Sequence, residues 1–378
     1  MKYPIGIQDF EDLQRNGYAY VDKTNFVYKL ADEGKYYFLS RPRRFGKSLF
    51  LSTLEAYFQG KKELFEGLAI YDLETEWKKY PIFHIDLNTA NFREKDSLYA
   101  VLNDYLTTWE SKYGTRESEA TLALRFKGVI ARAAEKEGCG VVILIDEYDK
   151  PILQTLRDPE LQAEHRAQLK AFYSVLKTQD RYIKFAFLTG VTKFGKVSVF
   201  SDLNNLTDIS MDHRYISICG MTEKELLTNF KEGIGELASA NEDNETETID
   251  KLRMRYSGYH FEENSEEIYN PFSVLNTLAN SRYDDYWFKA DTHTFLIDIL
   301  KKHDYCITDL NKTQVKANMM NNVDFNPIPV IYQSGYLTIK SYDERFKNYQ
   351  LGIPNKEVEE GILNTLLPHG CKTAEMDC

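Results

Sequence analysis

Two short runs hold the residues best able to do chemistry. "RPRRFGKS" (41–48) sets a glycine, a lysine and a hydroxyl in succession, Gly46-Lys47-Ser48. "VVILIDEYDKP" (141–151) ends an apolar run on two consecutive acids, Asp146 and Glu147. The first run matches the end of the pattern G-x-x-x-x-G-K-[ST], in which backbone N–H groups at a helix start cradle phosphates. Gly46 would let the backbone approach a phosphate, Lys47 would reach the β- and γ-phosphates, and Ser48 would coordinate Mg²⁺. Alone, the triplet reads equally well as a solvated basic turn.

The second run has the form of a Walker B strand. Asp146 would hold Mg²⁺ through water and Glu147 would polarise the attacking water. Acids at the carboxyl end of a strand face the crevice where ligands sit in open α/β sheets. The alternative is a buried strand followed by a solvated Asp-Glu turn. Both motifs in one chain, in this order, point to a nucleotide site. A third run, "FAFLTGVTKF" (185–194), ends a strand on Thr189 and then Thr192-Lys193. Thr189 is the first candidate to sense a γ-phosphate and Thr192 the second. The alternative is a threonine that satisfies its own strand end.

Arg41 stands where the phosphate pattern has its first glycine. It suits the turn if its φ is negative, as Pro42 fixes for its own position. Arg43 and Arg44 either add charge near the phosphates, face a partner or neighbouring subunit, or lie in solvent.

These residues need a scaffold. Apolar runs at 36–39, 82–87, 141–145, 183–188 and 215–218 read as strands, with helical patterns at roughly 94–110, 117–137 and 161–178 between them. Residues 47–58 show helical spacing directly after the glycine-lysine loop. Strands alternating with helices imply a mostly parallel α/β sheet covered on both faces. The expected fold is a P-loop NTPase core of five strands, order 5-1-4-3-2, over residues 1–220. Beyond it, Thr222 and Glu225 form a capping-box pattern. "ASANEDNETETID" (238–250) reads as an exposed acidic loop, and 269–278 as a turn followed by a helix. A helical lid is expected over 221–285. A mainly helical linker, or the start of a further domain, is expected over 286–378, with a hairpin near 335–351 and a frayed tail from 367.

At 378 residues, 43% hydrophobic, the chain can bury a sizeable core. A net charge of −11 argues against a generally cationic nucleic-acid coat but allows a local basic channel. The five cysteines (139, 219, 306, 371 and 378) are scattered without a C-x-x-C. A reducing cytosol is therefore expected rather than a disulfide framework or thiolate zinc site. The seven histidines are dispersed, which gives no metal site of that kind. The start, "MKYPIGIQDFEDLQ", lacks an apolar signal region, and no run reaches membrane-spanning length. A cytoplasmic protein without membrane contact is expected.

"YVDKT" (20–24), "SRPRRFGKSLFLSTL" (40–54), "LIDEYDKPI" (144–152), "LTGVTKFGKVSVFSDLNNLTDIS" (188–210) and "YNPFSVLN" (269–276) together resemble the bacterial AAA-ATPase-like family. The resemblance runs over at least residues 1–280. It implies ATP and Mg²⁺ as cofactors, and it makes Arg41 a trait of the family's loop. Members often carry a C-terminal PD-(D/E)XK nuclease-like domain. "QSGYLTIK" (333–340) and "LGIPNKEV" (351–358) resemble the bridge into it. No D…(D/E)-x-K on strand-like sequence follows residue 280. The chain thus reads as truncated or naturally short of that domain. The resemblance further places Asp22, Lys23 and Thr24 in a box over the adenine, with Val21 or Tyr20 against the base; a helix cap by Asp22 explains the same residues.

The expected cofactor-binding set is Arg43, Arg44, Phe45, Gly46, Lys47, Ser48, Leu49, Asp22 and Thr189. Ser48 and Asp146 serve the metal, and Glu147 and Lys47 serve catalysis. The expected function is Mg-dependent ATP binding with slow hydrolysis, as a switch or motor module. One alternative is a nucleotide-gated interaction module without significant turnover. The other is a component of a nucleic-acid-processing system whose nuclease is absent. Nucleic acid, a protein partner and a second copy of the chain stay open as partners.

Overall fold

Strand β1 (Tyr36–Ser40) is buried along its whole length, and β2 (Ile82–Asp86), β3 (Val141–Asp146), β4 (Ile183–Gly190) and β5 (Thr207–Asp208) join it in one sheet. In this computed structural model the described residues are 1–193, 205–290, 310–311, 313–320 and 327–366. The order is β2-β3-β4-β1-β5 and every pairing is parallel, as the P-loop reading requires.

Side chains alternate across the sheet. Tyr37, Leu39, Val142, Leu144, Phe185 and Phe187 face one core, which includes the helix Lys47–Phe58. Tyr36, Phe38, Phe83, Ile85, Ile143, Ile145 and Leu188 face the other. The helices Ser97–Tyr113, Leu122–Glu137 and Pro159–Thr178 cover that second face. Leu98, Leu102 and Leu106 recur at helical spacing and are fully buried. The side chains of Thr121 and Asp158 cap the latter two helices, each contributing about 1 kcal/mol.

The fifth strand is not where the apolar run lay. Residues His213–Ile218 form a short 3₁₀ segment, and Thr207-Asp208 pairs with Tyr37 and Phe38 instead. The carbonyls of Tyr215 and Ile216 are engaged by the guanidinium of Arg41, at 3.3 Å each. That run is apolar because Tyr215, Ile216 and Ile218 are buried in the core beside β1, not because it belongs to a ladder.

After Gly220 come the helices Glu223–Asn229, Lys231–Ala240, Glu245–Tyr256 and Pro271–Asn280, with a core of their own that includes Leu226, Ile234, Leu252 and Val274. The capping box of Thr222 and Glu225 is present. The acidic stretch at 238–250 is mostly helix, contrary to its reading as a loop. Asn244 and Glu247 form a second capping box, and acids in the first turn complement the helix dipole.

Further on, β7 (Thr338–Asp343) and β8 (Asn348–Gly352) make an antiparallel hairpin, with β6 (Gln314–Lys316) added beside β8. The hairpin lies where the sequence placed one, and β6 is the strand that was not expected. Helix Lys356–Leu366 follows, and Val358 and Ile362 join the core shared with β1. The tail from 367 lies outside the described residues. Among those residues no helix is long and apolar enough to cross a membrane.

Candidate functional site

Gly46 ends the loop after β1 with φ +94°, a left-handed backbone that favours glycine, and the helix Lys47–Phe58 starts directly behind it. Lys47 is buried, and its ammonium donates to the carbonyls of Arg41 and Pro42 at 3.1 and 3.2 Å. Ser48 Oγ donates to Asp146 Oδ2 at 2.5 Å. Thr189 Oγ1 donates to the other oxygen of Asp146, which also accepts the Glu147 N–H at 3.0 Å. Three chain segments thus converge on one buried carboxylate and satisfy it.

Arg41 is not a phosphate ligand. It is 1% exposed, and its guanidinium donates to the carbonyls of Ser40, Ser210, Tyr215 and Ile216. It also stacks 4.0 Å from the centre of the Phe261 ring. Burial pushes its pKa down to about 10. Its φ is not positive, whereas that of Arg44 is +66°.

Two adjoining cavities flank the loop. The larger, about 420 Å³, is lined by Arg43, Arg44, Gly46, Lys47, Ser48 and Glu147, and also by Asn88, Lys150 and Gln154. Its far walls are the N-terminal segment Pro4–Gln8 and the helix Pro271–Asn280. Asn270 caps that helix by accepting from the N–H groups of Phe272 and Ser273. The smaller cavity, about 90 Å³, is mostly apolar and is lined by Tyr20, Val21, Phe45, Leu49, Ile218 and Met221. Lys23 also lines it and is ion-paired with Glu225 at 2.5 Å. The two cavities share Pro4, Gly46, Leu49, Pro271 and Leu275.

Glu147 lies in the larger cavity with φ +51°. Burial raises its pKa above the ordinary carboxylate value. Lys47 opposes this, Asp146 and Asp149 reinforce it, and Arg43 opposes it. A carboxylate with a raised pKa is a better proton acceptor near neutral pH.

Other expected residues are held by neighbours within the fold. Phe45 is buried edge-on against Tyr259 and Phe261. Thr189 is fully buried and holds Asp146 rather than lining either cavity. Thr192 is held by Asp149, which accepts its N–H at 2.6 Å and its hydroxyl at 2.7 Å. Asp22 lines neither cavity. Its carboxylate accepts from the N–H and hydroxyl of Thr24 and from the N–H of Ala69, so it closes the start of the helix Thr24–Glu33.

Several residues escaped the sequence reading. Asp149, the last acid of "DEYD", anchors the backbone of Val191 and Thr192 beyond β4. Gly190 is required there, because a Cβ would meet Tyr148 and Asp149 at 2.6 and 2.7 Å. Trp287 donates its indole N–H to the Arg43 carbonyl at 3.2 Å, tying the later part of the chain to the loop after β1. Glu357, fully buried, accepts from the Trp287 backbone N–H at 2.9 Å and from the Ser273 hydroxyl at 2.8 Å.

The donor set fits a hard divalent cation. Mg²⁺ keeps several waters and binds through one or two protein oxygens plus phosphate oxygens. Ser48 Oγ and Asp146 Oδ2 supply such a pair beside the loop.

Residues 4–200 match the family described as predicted AAA-ATPase, AAA-ATPase-like. The chain is also 38% identical over 372 residues to a protein of Azotobacter chroococcum mcd 1 described as an uncharacterized protein in the vnfD 5′ region; the match covers 97% of this chain and 70% of that protein.

Proposed function

Because the chain belongs to the predicted AAA-ATPase family, we propose that it binds ATP with Mg²⁺ in the larger cavity and hydrolyses it slowly, as a switch or motor module. The carrying observation is the convergence of Ser48, Asp146 and Thr189 beside Lys47 and the N–H groups that start the helix after Gly46.

Lys47 exchanges the loop carbonyls for the β- and γ-phosphate oxygens. Ser48 and Asp146 would hold the metal, which would supply neutralisation of phosphate charge. Thr189 keeps the Asp146 carboxylate in place. Glu147 orients water toward the terminal phosphate and accepts its proton. Gly46, Arg43 and Arg44 position the phosphates. The smaller apolar cavity takes the base, with Tyr20, Val21 and Leu49 as its walls. The helices of 221–285 form the lid, and the helix Pro271–Asn280 closes on the cleft.

Titration of the protein with ATP in the presence and absence of Mg²⁺, followed by a turnover assay, tests this. Metal-dependent binding and slow phosphate release are expected. Binding without release turns the reading toward a nucleotide-gated interaction module. No binding of any nucleoside triphosphate overturns it.

A further inference from the structure

The cleft carries more positive charge than the phosphate loop explains. Arg43, Arg44, Lys47 and Lys150 all line it, and Glu147 is the one acid among the described residues that do. Lys150 is the cation that does not come from the loop. It begins the short helix Lys150–Gln154, three residues beyond Glu147. Its ammonium donates to the backbone carbonyl of Asn88 at 2.8 Å and to the Asn88 side-chain oxygen at 2.6 Å. Both partners are neutral, and among the ion pairs of the described residues none uses Lys150.

The topology explains how it arrives there. Asn88 follows β2 and Lys150 follows β3, and these strands pair with Asp86 opposite Asp146. Lys47 comes from the loop after β1, on the other side of β4. The two lysines therefore reach the cleft from different strands. Glu147, which the function proposed above places at the terminal phosphate, follows β3 as Lys150 does, so both approach from the side opposite Lys47.

A lysine ammonium has three donors, and Asn88 occupies two. Burial lowers the Lys150 pKa, Glu147 opposes this, and Arg43 adds to it. Such a group gains from an anion arriving beside it.

We propose that Lys150, oriented by Asn88, is a ligand of the terminal phosphate supplied by the same chain, meeting it from the Glu147 side opposite Lys47. This rests on the nucleotide reading of the cleft and adds a residue that distinguishes a triphosphate from a diphosphate.

The test compares ATP and ADP affinities, with Mg²⁺, for the parent and for K150M, K150Q and K150R. One charge-assisted contact to the γ-phosphate corresponds to a loss of about 10- to 100-fold in ATP affinity for the two neutral variants. ADP affinity should change by less than about threefold, and K150R should recover most of the ATP affinity because it keeps the charge. A purely structural clamp between Lys150 and Asn88 would weaken both nucleotides alike. Parallel losses, or parent-like affinity for both in either neutral variant, overturn the assignment and leave the nucleotide site standing. A parent that binds neither ATP nor ADP overturns the site itself.

Discussion

Ser48 and Asp146, 98 positions apart in the chain, meet through a 2.5 Å hydrogen bond at the edge of the cleft. That contact is where the loop after β1 and the end of β3 become one site. Asp146 also keeps its bonds from Thr189 and the Glu147 N–H, so losing Ser48 leaves the carboxylate held. S48A and D146N should each weaken Mg-dependent ATP binding by about 10- to 100-fold, the scale of one or two strong polar contacts. Titrations without metal should give the parent and the variants the same weak affinity. Equal affinity with metal present would remove both residues from the metal site.

Glu147→Gln keeps the size and hydrogen bonding of the side chain and removes its charge. It should retain ATP and lose about 10²-fold or more in turnover. The parent pKa is raised above the ordinary 4.5, so the active carboxylate form appears only as pH rises through that higher value. The rate should therefore climb with pH on a limb above 4.5, and E147Q should lack that limb. An unchanged limb in E147Q would assign it to another group.

Arg41→Gly restores the usual glycine of the phosphate pattern and should nevertheless destabilise the protein. It leaves the carbonyls of Ser210, Tyr215 and Ile216 without their donor and opens space beside Phe261. Losses of about 3 kcal/mol or more are expected from such buried, charge-assisted bonds. Arg41→Lys should not rescue, since an ammonium lacks the planar fork that spans these carbonyls. Denaturant unfolding that places R41G within about 0.5 kcal/mol of the parent would contradict this.

The sequence showed what depends on local pattern. Four strands were legible because their runs are mostly apolar, broken only by His84, Asp86 and Lys184, and the glycine-lysine loop and the paired acids were legible because their spacing is contiguous. The fifth strand was not, because Thr207-Asp208 is short and polar and takes its pairing from Tyr37 and Phe38. The apolar run at 215–218 misled because its side chains are buried in the core without joining a ladder, while its carbonyls take the Arg41 guanidinium across more than 170 positions. Lys150 with Asn88, and the Pro4–Gln8 wall, join the site only through tertiary placement. No periodicity announces them.

Glu357 gives the fold a pH dependence of its own. Burial raises its pKa to about 8, against the bonds from Trp287 and Ser273 that favour the charged form; nearby Asp285 adds to the rise and Arg255 opposes it. Arg255 itself bridges Asp285 and Glu360 at 2.9 Å each. The folded-state pKa lies above the unfolded value. The stabilising contribution is therefore complete below about pH 4.5 and is lost as pH rises through about 8. Glu357→Gln should show a flatter decline, so its stability relative to the parent should improve from pH 5 to pH 9. Parallel unfolding curves across that window would mean Glu357 does not titrate there.

The most direct measurement is calorimetric titration of Mg-ATP into the parent and Lys47→Ala. Among the described residues Lys47 donates to two loop carbonyls, of Arg41 and Pro42, so its removal should leave the unfolding transition in place. The account predicts saturable one-site binding by the parent, and for K47A a loss of about 10²-fold or more, consistent with removal of a buried charge from the phosphates. A folded K47A protein that binds Mg-ATP as tightly as the parent would contradict it.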